Sequence, residues 1–169
     1  MRGELVPIDG SALLRPAVDF DALFMLRHAQ GHFLSEGIAL RHLLDWHLLL
    51  QQRQQEIDWP YLYNMMERIR LRPFFDLVTA WCVERTGLRI TDPRIKYSVD
   101  KALLKAFEED LFALQPSVSN RHVWQKIPRI ARRARRMWRF RRLLNEPYLL
   151  KLWNVVAFSS YLHRRPTLD

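Results

Sequence analysis

Two groups of residues near the N-terminus have the side-chain types and spacing to do chemistry. Gly10-Ser11 is followed by Asp19-Phe20-Asp21. Holding a triphosphate through Mg²⁺ needs a small-residue turn near the phosphates and two carboxylates on one face of a strand. The spacing argues against that chemistry here. Seven residues separate Ser11 from Asp19, which is short for it. Asp19 also opens a helical pattern, in which i and i+2 do not share a face. A capping Asp followed by a first-turn acid that complements the helix dipole is the better reading. The second group is His28, His32 and Glu36, spaced i, i+4, i+8. Two imidazoles at i, i+4 can bind zinc from one helix face. However, His-Ala-Gln-Gly-His lacks the Glu of the metalloprotease pattern, and Cys82 is the only cysteine. Arg41 and Asp45, themselves i, i+4 on the next helix, are the natural partners. His28, His32, Arg41 and Asp45 therefore form the expected polar network, with a structural role ranked first, substrate contact second and metal last. No residue is assigned as catalytic or as a metal ligand.

A third group lies further on. Ten Lys or Arg residues and no acid fall between Arg121 and Arg142. The remaining 17 basic residues face 18 acidic ones, so the net charge of +9 comes from this segment. Ile127, Ile130, Ala131, Ala134, Met137 and Trp138 are spaced as an apolar stripe on a helix. Arg129, Arg132, Arg133, Arg135, Arg136 and Arg139 occupy the other faces as candidate anion contacts, toward a nucleotide, nucleic acid or acidic surface. The competing expectation is a basic face paired with Glu108, Glu109 and Asp110.

The elements that must position these residues are helices. The chain has 169 residues, 49% of them hydrophobic and 27% charged, with five Gly. That suits a globular helical domain better than a turn-rich β fold. Residues 1–18 read as an extended link with breakers at Pro7, Gly10 and Pro16. Helices are predicted from Asp19 to Glu36, Ile38 to Gln52, an Asp58 cap to Arg70, Pro73 to Thr86, Ser98 to Leu114, Asn120 to Leu144, and from Pro147 to before Pro166. Leu40, Leu43, Leu44, His47 and Leu48 are expected on one apolar face of the second helix, and the six Trp residues mostly in the core. The fold class is all-α: an irregular bundle of about seven helices behind a short extended N-terminal segment. The chain divides into a link at 1–18, a helical core at 19–115, and a basic helix plus closing apolar helix at 116–169. One cysteine, no apolar leader and no run of about 18 apolar residues point to a cytoplasmic protein without a transmembrane span.

The stretch Phe24–Leu50 resembles the helical region of an uncharacterised nucleotidyltransferase family found in bacterial genomes. His28, His32, Gly37, Leu40, Arg41, Leu44, Asp45 and Trp46 carry the likeness. Val6–Pro16, Ile57-Asp58-Trp59 and the basic Trp138–Leu144 with its closing apolar helix are similar to flanking parts of that family. The resemblance implies a C-terminal helical part whose companion N-terminal domain holds the catalytic carboxylates and Mg²⁺. There is no room before Phe24 for that βαβ core, so no catalytic residue carries over. The expectation is an accessory, substrate-side chain from a truncated or split gene, inactive alone and without a cofactor of its own. Its partner would be the missing catalytic domain. The alternative is a non-enzymatic binder of nucleic acid or an anionic surface through the arginine-rich helix.

Overall fold

The computed structural model describes residues 4–9, 11–35, 37–113 and 126–143. They form six α-helices behind an N-terminal hairpin. The hairpin pairs β1 (Glu4–Ile8) antiparallel with β2 (Ser11–Arg15), in the register Glu4 with Arg15 and Ile8 with Ser11. The segment expected to be extended is thus extended and paired with itself. Its turn holds Asp9 at φ 46°, a left-handed conformation that Asp tolerates better than most residues.

The helices are α1 (Val18–Ser35), α2 (Leu40–Arg53), α3 (Trp59–Arg68), α4 (Arg72–Thr86), α5 (Lys101–Leu111) and α6 (Lys126–Arg139). Several boundaries have a local chemical cause. Gly37 at φ 107° ends the turn after α1, and extended Ala39 delays α2 to Leu40 rather than Ile38. The Asp58 carboxylate caps α3 by accepting from the Tyr61 N–H, and Pro60 lies in the first turn, where a missing N–H costs little. Gly87 at φ 70° ends α4 as a left-handed cap. Asp100, not Ser98, caps α5, accepting from the Ala102 N–H at 2.9 Å. Pro128 lies within α6. The predicted closing helix beyond Pro147, with Trp153, lies outside the described residues, as does Trp124.

α4 is the centre of the bundle. Phe74, Phe75, Leu77, Val78, Trp81 and Cys82 are all buried. α1 and α2 form an antiparallel pair against it, contributing Leu26, Ala29 and Phe33 from one helix and Leu43, Trp46 and Leu50 from the other. The α2 face differs from the one expected. Of the expected residues Leu43 is buried, but Leu40, Leu44 and Leu48 are exposed, and Trp46, Leu49 and Leu50 are buried with Leu43 instead. The set 43, 46, 50 follows the 3.6-residue period as well as 40, 44, 48 does, and packing on α4 selects between them. Trp46 Nε1 donates to Thr79 Oγ1 of α4 at 3.1 Å, satisfying the indole where it is buried. Trp59 is buried and donates to the Gln54 carbonyl.

The chain after α4 returns across α2 and α3. Gln54 is buried and serves this crossing from both ends of its amide. Its Nε2 donates to the Arg89 carbonyl at 3.0 Å, and its Oε1 accepts from the Thr91 and Asp92 N–H groups at 2.9 and 3.1 Å. α6 docks on α1. Phe140 meets Phe33 at 4.7 Å between ring centroids, and Gln30 Nε2 donates to the Leu143 carbonyl at 2.8 Å. The apolar side of α6 is only partly the predicted stripe. Met137 is buried with Phe140 and Leu143, but Ala131 and Trp138 are exposed. The rotation of α6 about its axis follows from Phe33, which takes Phe140 as its neighbour.

Candidate functional site

The outer edge of the α1–α2 pair carries a run of rings. Phe20, Phe24, His28 and His32 follow each other at i, i+4 along α1. Phe20 stacks near Phe24 at 6.2 Å between centroids, and Phe24 near His28 at 5.8 Å. Phe24 is 59% exposed, so this run lies on the surface. It drifts around the helix toward α2 because four residues turn slightly past one full turn.

At the α2 end the run meets a third imidazole. His42 lies 5.6 Å from His28 and 5.0 Å from His32 between ring centroids, and His28 and His32 are 4.5 Å apart. One ring nitrogen from each of the three imidazoles lies within 4.8 Å of the other two. Local backbone holds His42 there: its Nδ1 accepts the Ala39 N–H at 3.3 Å, tying the ring to the start of α2. Burial lowers the His42 pKa from its ordinary value. The neighbouring His32, Arg41 and His28 lower it further, and Asp45 acts against them.

The predicted network residues are therefore placed as follows. His28 and His32 come together with His42, which was not among the candidates. Arg41 and Asp45 are exposed and flank His42 on its own helix. His42 could have been noticed only as a third histidine near Gly37. Nothing in the periodicity of α2 points it at α1.

The two acids of the Asp-x-Asp pattern are used within the fold. Asp19 sits in the first turn of α1 without capping it. Its Oδ1 accepts the Asp58 N–H at 2.9 Å, fixing the start of α3. Asp21 lies 3.7 Å from Arg53, at the far end of α2. These contacts clamp the end of the α1–α2 pair remote from the histidines.

Of the six α6 arginines proposed to meet anions, the side chains of Arg129, Arg132 and Arg133 lie outside the described residues. Arg135 is exposed. Arg136 is buried, and its Nε donates to both carboxylate oxygens of Asp110 at 2.8 and 3.1 Å. Arg139 pairs with Glu109, and Glu108 pairs with Arg85. Among the described residues, no helix is long and apolar enough to cross a membrane.

No curated protein and no solved structure matches the chain. A family model does match, that of an uncharacterised nucleotidyltransferase family, over residues 1–87. The match takes in the hairpin, α1 to α4 and the left-handed glycine that ends α4. It covers the clamp formed by Asp19 and Asp21 and all three histidines, and it spans more than half of the sequence. The chain belongs to the uncharacterised nucleotidyltransferase family.

Proposed function

We propose that this chain is the helical, substrate-side part of a nucleotidyltransferase and transfers no nucleotide by itself. One observation carries the reading. Nucleotidyl transfer through Mg²⁺ needs paired carboxylates free to bind the metal. The only Asp-x-Asp pair in the family-matched segment lies on a helix, with Asp19 bound to the Asp58 N–H and Asp21 beside Arg53. On this reading a separate catalytic domain supplies the carboxylates and binds Mg²⁺ and the nucleotide. The outer α1–α2 edge, with His28, His32, Arg41 and Asp45, faces that domain or its acceptor.

Pyrophosphate release tests this directly. The purified chain, given Mg²⁺, each nucleoside triphosphate and a panel of acceptors, should release none above background. Turnover that is lost in Asp19→Asn or Asp21→Asn would overturn the proposal. The pairing of Arg136 and Arg139 with α5 acids supports reading α6 mainly as a docking helix. The nucleic-acid alternative rests on Arg135 and the remaining arginines. It predicts binding that weakens steeply with salt, by roughly one counterion per phosphate contacted.

A further inference from the structure

We propose that His28, His32 and His42 form a binding site for a divalent transition-metal ion of the zinc type, with a further coordination position open to solvent. Three imidazoles from two helices converge, with one ring nitrogen of each within 4.8 Å of the other two. His28 and His32 are i, i+4 on α1, the spacing that places two imidazoles on one helix face. His42 comes from the first turn of α2, across the short connection through Gly37. His28 is exposed and the other two are half-buried, so an ion can reach them.

A stack of rings without an ion is the competing explanation. Ring contacts at 4.5–5.6 Å are within the range of ordinary aromatic packing. Burying apolar area does not explain the cluster, however, because it sits at the surface edge while the core lies on the opposite side of both helices. Packing would be served as well by Phe20 and Phe24, which continue the same run. The distinctive feature is that each of three imidazoles brings a nitrogen donor to within 4.8 Å of the other two.

The helix scaffold suits a site. Asp21 with Arg53 and Asp19 with the Asp58 N–H hold the far end of the pair, and Leu26, Leu43, Trp46 and Leu50 lock its inner face. The two backbones are thus set before any ion arrives. A zinc ion with nitrogen bonds of about 2.0–2.1 Å needs donors about 3.3 Å apart. The rings must therefore close by side-chain rotation, for which exposed His28 has the most room. His42 would offer Nε2, or would release the long 3.3 Å contact from Ala39 N–H. Imidazole donors select zinc, nickel or copper over Mg²⁺ or Ca²⁺. Three protein ligands with an open position is the arrangement of catalytic rather than structural zinc.

Zinc titration of the full chain by calorimetry provides the test, with ZnCl₂ as the ligand and metal-free protein. One equivalent should bind, and His28→Ala, His32→Ala and His42→Ala should each weaken binding at least tenfold. His47→Gln, at the imidazole bonded to Thr86, and a His122→Gln/His163→Gln variant should bind as the parent does. Zinc-edge X-ray absorption of the unaltered chain should report three imidazole nitrogens, a readout that needs no variant to fold. Absence of binding at 100-fold excess Zn²⁺ over protein, or binding that survives all three alanine changes, would overturn the proposal. So would an absorption spectrum without imidazole scattering.

Discussion

Cys82 lies between α4 and α2 with its thiol directed at the Leu43 carbonyl at 3.4 Å. Burial pushes its pKa up to about 12, with a hydrogen bond from Thr86 acting the other way. The thiolate is the reactive form, so the native protein at pH 8 should not react with Ellman's reagent. One thiol per chain should appear once denaturant is added. Asp76 shows the same effect on a carboxyl. Burial raises its pKa from 3.8, and the hydrogen bond from Arg72 lowers it by less. The folded value thus exceeds the unfolded one, so the native state holds this proton more tightly. Its contribution is fully present below pH 3.8 and is lost as pH rises through the folded value. Compared with Asp76→Asn, the parent should lose relative stability over that window, read as urea midpoints taken in steps upward from pH 3.8.

Helix ends in this fold are settled by backbone conformation. Gly87 closes α4 at φ 70°, and a Cβ placed there would touch nothing within 4 Å. The cost of Gly87→Ala is therefore one of backbone strain alone, about 1 kcal/mol, measurable by chemical denaturation. α3 ends in the same way but with the wrong residue for it. Arg70 stands at φ 52°, with Leu71 N–H donating to the Met66 carbonyl at 2.8 Å and Arg70 N–H to the Glu67 carbonyl at 3.1 Å. That is a Schellman ending, which favours glycine at the left-handed position. Arg70→Gly should raise stability by about 0.5–1 kcal/mol, the opposite sign to Gly87→Ala. The α5–α6 contact follows a different rule: Arg136 and Asp110 are both largely shielded from water. Truncating one partner there strands a charge, whereas exposed Arg135 should tolerate alanine within about 0.5 kcal/mol.

Across the whole molecule, one core runs past the end of the family-matched segment. Phe33 of α1 touches Phe74 of α4, Phe107 of α5 and Phe140 after α6, at 6.0, 5.2 and 4.7 Å between centroids. The family match stops at residue 87, so two of the four rings in this cluster come from beyond it. The basic segment is therefore bound into the fold through Met137, Phe140 and Leu143 rather than hung from it. Phe140→Ala should cost about 3–5 kcal/mol and lower the stability of the whole chain in a single transition. A separate early transition confined to α6 would show that the core is divided.

The helices were legible in the sequence because their causes are local. Apolar period, the Asp58 cap, Pro60 in a first turn and Gly87 at an end each act within a few residues of where they stand, and the observed bounds differ from the expected ones mainly by short shifts. The i, i+4 pairing of His28 and His32 was legible for the same reason. The third imidazole was not, because His42 meets them through the packing angle and register of α1 against α2, which no spacing along one helix encodes. Of the expected α2 face, Leu43 is buried but Leu40, Leu44 and Leu48 are not, and the choice of Leu43-Trp46-Leu50 as the inner face depended on a neighbour, α4. Asp19 and Asp21 were recognised as belonging to a helix start, but their partners, the Asp58 N–H and Arg53, lie more than thirty residues away. Local free energies favour each helix separately. Which polar groups end up facing one another is settled only when the helices bury their apolar sides together.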